Sequence, residues 1–511
     1  MKPNILFITS DQHRADAFGF ENSELRTPHL DSLASEGTRF SACITPNLVC
    51  QPSRASILTG LLPLTHGVYD NGVDLDPAIG EAGFAGRLNA AGYRTAIIGK
   101  AHFSSKNTFQ PSGTPECRSS TALYDAGWMG PYMGFGHAEL ANLGKMYPQR
   151  EISANSVGHW ERWLARQGEE GDAHRRWLAR EDEGTGAAQT WKSGLPAAWH
   201  STTWTADRAI RWLTQEEKSD QPFCLWVSFA DPHHPFDCPA PWNRLYDPQQ
   251  ITLPKHRTLD LELRPWWHRA TLEGEPAIAD AHMRKFRSAT SRVPAQSDAQ
   301  LAEMTANYYG MISQIDHNVG RLLVALDDSG RRRETLVVFT TDHGEMLGNH
   351  GLYLKGPTPY EDLLRVQLIV QGLGAKPGLM VEEPVSTLDL APTFLDAAGT
   401  AIPAVMQGQS LLGLARGEPE HRAAAYSEWQ LHPSRCGVAL QLRTVRTRRY
   451  KCTFELISGA GELYDLVDDP REMVNRYDDP KYVGVRAGLQ RLLQERPGVV
   501  RADLGEPIGM S

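Results

Sequence analysis

The chain has 511 residues, 41% hydrophobic and 22% charged, a globular composition with room for one large core and an appendage. A net charge of −9, a pI near 6.1 and the lack of any long Lys/Arg block exclude a surface built for a nucleic-acid backbone. No apolar run approaches membrane-spanning length, and "MKPNILFITSDQ" enters a strand pattern too soon to hold a cleaved leader, so no membrane partner is expected.

Ile5 to Thr9 reads as a buried strand ending at Asp11 and Gln12. "TPHLDSLASEG" follows as a helix, with Thr27 as N-cap, Pro28 in the first position and Gly37 as the stop. In "PNLVCQPSRASILTG" the spacing predicts a loop holding Cys50, then a helix starting at Pro52 and Ser53 and running to Gly60. "GFAGRLNAAG" is helical and "YRTAIIG" a strand, after which Lys100 and His102 open the loop "KAHF". From Gly168 to Gly186, charged and small residues predict a surface insertion. Of the 13 tryptophans, 12 lie between Trp128 and Trp267; packing on helix faces is the expectation, and an apolar substrate mouth is the alternative. "PFCLWVSFA" is a strand leading into "DPHHPF", which carries His233 and His234. An amphipathic stretch from about Met304 to Leu326, bearing Asp316 and His317 as helix-face or supporting residues, precedes the strand in "TLVVFTTDHGE", which ends at Asp342 and His343. "VQLIVQG" and "TLDLAPTFLDAAG" add a strand and a helix. After about Ala404 come short strands with turn signals and a terminal helix around Val485 to Leu493.

Strands alternating with helices predict an α/β fold with a central mixed, largely parallel sheet flanked by helices, plus a small C-terminal antiparallel-sheet subdomain. The expected division is a catalytic domain over 1–403, with a Trp-rich insertion at about 105–215, and a subdomain over 404–511. Ligands of such sheets sit at the carboxyl ends of strands, and Asp11, Lys100, His102, His233 and Asp342 all follow strands.

Either dipeptide alone, Asp11-Gln12 or Asp342-His343, is ordinarily a loop or a cap. Together at one rim they supply two carboxylates, an amide oxygen and an imidazole, a donor set for one divalent cation. The seven cysteines have neither disulfide-framework nor metal-ligand spacing, so a reducing, cytoplasmic setting is expected and most are small core residues. Cys50 differs. At a helix mouth the free N–H groups and positive dipole end suit an anion or a thiolate, and Arg54 adds a forked donor for a tetrahedral oxyanion. An unmodified cysteine or water nucleophile in a metal-dependent phosphatase is one reading, as is a non-catalytic scaffold that kept the fold. Against the first, soft sulfur suits an oxygen-lined metal site poorly, and the Cys-to-Arg spacing is too short for the loop of cysteine phosphatases.

"CQPSRASILTG" resembles the type I sulfatase signature, and "NILFITSDQHRAD", "GKAHF", "DPHHPF", "FTTDHGEMLGNHGLYLKG" and "GELYDLVDDPREMVN" continue the similarity in that family's order. The resemblance implies an alkaline-phosphatase-like fold and a Cys50 oxidised to formylglycine by a formylglycine-generating enzyme during maturation. By the same resemblance the metal is held by Asp11, Gln12, residue 50, Asp342 and His343. The hydrated aldehyde attacks sulfur, and a sulfated hemiacetal then eliminates sulfate. Lys100 and Lys355 clamp sulfate oxygens, Arg54 supports the diol and the metal-bound carboxylates, His102 is the base for elimination, and His233 serves the leaving oxygen with His234 as rival.

Many sulfatases carry Asp-Asp and Asp-Asn where this chain has Asp11-Gln12 and Asp342-His343. The substitution resembles the phosphonate monoester hydrolase branch and makes Mn²⁺ a competitor to Ca²⁺. Lys100 and His102 are nevertheless the sulfatase choices. The expectation is therefore hydrolysis of a small, aryl sulfate ester, with phosphonate monoester or phosphodiester hydrolysis as the alternative. Self-association is compatible with the acidic surface, the insertion and the tail "GEPIGMS".

Overall fold

The computed structural model of the chain describes residues 2–125, 127–141, 158–215 and 221–510; residues 142–157 of the predicted insertion therefore lie outside the described residues. Among the described residues nine strands form one sheet: β1 (Asn4–Ser10), β2 (Thr38–Ile44), β3 (Arg94–Gly99), β4 (His137–Leu140), β5 (Phe223–Ser228), β6 (Thr335–Thr341), β7 (Arg365–Gln371), β8 (Leu379–Val381) and β9 (Val385–Ser386). Their spatial order is β8-β2-β7-β6-β1-β5-β3-β4, with β9 also beside β2. Every pairing is parallel except those of β7 with β2 and β6.

The unbroken apolar strands follow from burial on both faces. Ile5 and Phe7 of β1 face α2 (Cys50–Thr59), α3 (Phe84–Ala90) and α7 (Leu390–Ala397) through Ile57, Phe84 and Phe394. Leu6 and Ile8 face α1 (Pro28–Glu36), α4 (Ser201–Gln215) and α6 (Asp298–Asp328) through Leu33, Ala209 and Val319. Each large apolar side chain so withdrawn from water contributes roughly 1.5–3 kcal/mol.

The C-terminal strands β10 (Ala425–Leu431), β11 (Leu440–Arg446), β12 (Tyr450–Glu455) and β13 (Gly461–Asp465) form an antiparallel meander, covered on one side by α9 (Val483–Gln494) through Leu489. Its other side shares a core with the main body, where Trp429 and Leu442 pack with Ile44, Leu48 and Val49. The Glu428 N–H donates to the Pro46 carbonyl oxygen at 2.8 Å. The second sheet thus braces the segment entering Cys50. Two shorter helices are α5 (Trp266–Glu273), which bears on the site, and α8 (Pro433–Cys436), which follows β10. Trp160, Trp177 and Trp204 pack with one another and with Trp163 and Trp199, as expected for helix-face residues.

Three predicted details are corrected. α2 begins at Cys50, not Pro52, with Val49 as N-cap; the first-turn amides lack intrahelical partners, so Pro52 costs nothing there. α6 begins at Asp298 rather than about Met304, because Ser297 and Gln300 form a reciprocal capping box. α1 starts at Pro28 as expected, but the Thr27 hydroxyl donates to Asp31 instead of capping an amide. Gly37 ends that helix in an extended conformation; a side chain there would meet the Val370 carbonyl oxygen at 2.6 Å.

Asp316 lies inside α6, where its carboxylate accepts the Leu30 and His29 amides of α1 at 2.8 and 3.3 Å. It joins two helices, and His317 beside it rests against Trp242. Burial raises the Asp316 pKa to about 7. The folded state then holds a proton that the unfolded state releases near pH 4, so this residue's contribution falls as pH rises from about 4 to about 7. Asp316→Asn, which does not titrate, is expected to gain on wild type in melting temperature between pH 5 and pH 8. Parallel melting profiles for the two proteins would refute the assignment.

Candidate active site

Parallel neighbours β6, β1, β5 and β3 end at one rim, so residues distant in sequence converge there. The register pairs Ser10 with Thr341, which puts Asp11 beside Asp342. Asp342 Oδ1 then accepts the backbone N–H groups of Gln12 and His343 at 3.2 and 3.0 Å. β3 and β5 approach closely at Gly99, where a side chain would strike the Ser228 carbonyl oxygen, and Lys100 and His102 follow.

Arg54 lies one helical turn beyond Cys50 and is wholly buried. Its Nε donates to Asp342 Oδ2 at 2.9 Å, its Nη1 to the Lys100 carbonyl oxygen and Ser228 Oγ, and its Nη2 lies 3.6 Å from Asp11 Oδ2. The Lys100 ammonium contacts the same Asp11 oxygen. Lys355 Nζ reaches Cys50 Sγ at 2.9 Å, Gln12 Oε1 at 3.0 Å, His233 Nε2 at 2.8 Å and His343 Nε2 at 3.2 Å. Asp11, Gln12, Cys50, Arg54, Lys100, His233, Asp342, His343 and Lys355 therefore lie together, and the His102 side chain hydrogen-bonds Cys50.

Ligand atoms of Asp11, Cys50, Asp342 and His343 lie within 4.8 Å of one another, and all four residues are buried. The ring of His343 has Nδ1 on the Gly344 carbonyl oxygen at 2.9 Å, which leaves Nε2 facing Cys50 Sγ at 3.1 Å. Gln12 gives its amide N–H to Glu345, so its Oε1 turns inward towards Lys355. Two carboxylates, an inward amide oxygen and an imidazole with its second nitrogen engaged fit a divalent cation.

Charge partners override burial at the centre. Burial and Cys50 push the Asp11 pKa up, but Lys100, His233 and Lys355 bring it down to about 2. Burial likewise raises the Cys50 thiol, yet Lys100, Lys355 and His343 hold it well below the usual thiol range. His102 goes the other way: burial and then Lys100 lower it to about 4, so it is a neutral proton acceptor at neutral pH. Burial and the Lys355 ammonium also lower His233.

His233, not its neighbour, contacts Lys355; His234 stacks behind it at 4.1 Å and hydrogen-bonds the Gln12 amide. Several contributing residues are absent from the sequence reading. Glu345 sets the Gln12 amide, and Ser228 anchors Arg54. Glu116 accepts the His102 and Phe103 amides and the Tyr132 hydroxyl, holding His102 at a φ of +56°. Glu345 stands three residues after Asp342 within a quoted motif, a signal that was available; Glu116 and Ser228 carry none.

Residues 3–400 match the Sulfatase family model, and residues 348–497 match the model for the C-terminal part of N-sulphoglucosamine sulphohydrolase. The chain is 29% identical over 489 residues to an arylsulfatase of Clostridium perfringens, covering 94% of this chain and 92% of that protein. It is 29% identical to a multifunctional alkaline phosphatase superfamily protein of Trinickia caryophylli, covering 97% and 95%. Among solved structures it is similar to the phosphonate monoester hydrolase of Agrobacterium radiobacter, with 26% identity, a TM-score of 0.74, and coverage of 97% and 95%.

Proposed function

Because the chain belongs to the sulfatase family of sulfuric ester hydrolases, we propose that it cleaves small aryl sulfate monoesters at residue 50, with Cys50 oxidised to formylglycine and one Ca²⁺ or Mn²⁺ held by Asp11, Gln12, Asp342 and His343. The observation carrying this reading is the convergence of Lys100, Lys355 and His343 on the side chain at position 50. Bound there, the cation and the aldehyde would supply positive charge for the sulfate oxygens and a hydroxyl nucleophile of lowered pKa.

The chain's own residues do the rest. Lys100, held on Asp11, and Lys355, on the side chain at position 50, would each take a sulfate oxygen, offsetting charge that builds as the S–O bond breaks. Arg54, itself wholly buried, holds Asp342 in place through Nε and stands beside Asp11 through Nη2. His102, neutral at working pH, would accept the proton released from the side chain at position 50. His233 keeps Nδ1 on the His234 carbonyl oxygen, so Nε2, which meets the Lys355 ammonium, is the ring atom it would turn to the leaving oxygen.

One observation favours the second reading, a phosphonate monoester or phosphodiester hydrolase: Gln12 and His343 replace carboxylate and amide at the metal pair. Two measurements separate the readings. Mass spectrometry of the peptide carrying residue 50 is expected to show formylglycine, and an intact thiol in fully active enzyme would favour the unmodified phosphatase instead. At equal enzyme, sulfate release from a chromogenic aryl sulfate is expected to exceed turnover of a phenyl phosphonate ester by about tenfold or more, a gap of ~1.4 kcal/mol in transition-state stabilisation. Faster phosphonate turnover would reverse the assignment.

A further inference from the structure

Lys355 reaches the side chain at position 50 from irregular chain, the loop "KGPTPY" that leads into the helix Glu361–Leu364. Holding a long lysine in one rotamer costs entropy, so its ammonium stays on target only if the backbone beneath it is fixed. Pro357 and Pro359 offer no backbone N–H for that purpose. The loop is fastened from outside instead.

Its fastenings follow one another along the chain. The indole N–H of Trp267 in α5 donates to the Pro357 carbonyl oxygen at 3.1 Å. Lys451 of β12 gives its ammonium to the Pro359 carbonyl oxygen. The Tyr360 ring lies on that of His350, with centroids 4.0 Å apart and planes 7° from parallel. Glu472 Oε2 accepts the Glu361 N–H at 2.7 Å, and Glu472 Oε1 pairs with Lys451. Glu472 is itself anchored, because Arg264 Nη1 donates to its carbonyl oxygen at 2.9 Å and to the Tyr464 hydroxyl at 3.1 Å.

Lys451 is 1% exposed and Glu472 2%. A lysine is almost never so deeply buried without partners. Here one partner of the ammonium is the loop itself, and the other is the residue that holds the loop's far end. We propose that Lys451 and Glu472 are positioning residues for Lys355, holding its loop at Pro359 and Glu361 so that the ammonium meets the side chain at position 50. They act through the loop, not on the ester. This rests on the sulfatase reading for the task of Lys355 and adds what places it, giving the segment "GELYDLVDDPREMVN", which carries Tyr464 and Glu472, a part in the reaction.

The test is a double-variant cycle on a chromogenic aryl sulfate. Lys451→Gln is expected to lower kcat/KM by about 10- to 100-fold, the scale of misplacing a reacting group by roughly an ångström. In a Lys355→Ala background the same change is expected to cost less than about twofold, because the group it positions is gone. Lys451→Met combined with Glu472→Gln removes the buried pair together, so that no charge is stranded, and is expected to behave likewise. A second readout needs no turnover: brief acetylation by acetic anhydride, followed by mass spectrometry of the peptides carrying Lys355 and Lys100. Lys100 follows β3 and serves as the internal reference. The Lys355-to-Lys100 labelling ratio is expected to rise about threefold or more in either Lys451 variant, as an ammonium freed from its packing meets the reagent. An equal fold loss of activity with and without Lys355, or a labelling ratio unchanged in both Lys451 variants, overturns the proposal. Failure of every ester to turn over, with the labelling ratio raised, strikes the sulfatase reading and supports the bracing of Lys355.

Discussion

Cys50→Ala is expected to lower kcat for sulfate-ester hydrolysis by roughly 10⁴-fold or more, the scale of removing a covalent nucleophile. The side chain is wholly buried and touches Lys355, His343 and Asp11, so the substitution removes the one atom on which those groups converge. Alanine fits the first turn of α2 as well as cysteine does, and the backbone there is held from outside by the Asn71 side chain on the Gln51 amide. Stability is therefore expected to change far less than activity. Cys50→Ser is the sharper probe. A serine hydroxyl can accept sulfate but has no second hydroxyl to expel it, so a burst of alcohol equal to the enzyme concentration, followed by near silence, is expected. Quenched-flow measurement of the alcohol product checks this. Steady turnover by either variant within tenfold of wild type would mean that residue 50 is not the nucleophile, and would return the water-nucleophile phosphatase to first place.

The pieces of this site that were legible in the sequence share one property: each follows a strongly patterned element. Asp11 and Asp342 could be placed because "NILFITS" and "TLVVFTT" are unmistakable buried strands, and parallel strands deliver their ends to a common rim. Cys50 and Arg54 were legible from spacing, although the helix start was not: Pro52 punctuates the sequence without punctuating the structure, since a first-turn proline forfeits no hydrogen bond. The onset of α6 was missed for the opposite reason, a real Ser297-Gln300 capping signal inside a polar stretch of low periodicity. Glu116 and Lys451 belong to a different class. Their significance comes from contacts with the His102 loop and with the loop after Lys355 that long-range packing creates, and neither local period nor spacing encodes such a meeting.

Arg54→Lys is expected to lower kcat/KM by about 10²- to 10³-fold and to destabilise the protein by roughly 3–5 kcal/mol, the cost of leaving buried charge uncompensated. Lysine keeps the charge but not the fork. In the native site one guanidinium serves Asp342 through Nε, the Lys100 carbonyl oxygen and Ser228 through Nη1, and stands 3.6 Å from Asp11 through Nη2. A single ammonium cannot span those positions, so at least one of the two wholly buried carboxylates loses its guanidinium contact. A divalent cation added back should compensate in part, because it binds the same carboxylates and stabilises only the folded state. The melting temperature of Arg54→Lys is therefore expected to depend more steeply on Ca²⁺ or Mn²⁺ concentration than that of wild type, while kcat/KM stays depressed at saturating metal. Calorimetric melts across a metal titration, paired with sulfate release, separate the two effects. Were Arg54 only a structural strut, saturating metal would restore activity along with stability, and were it irrelevant to the cation, the two titration curves would run parallel.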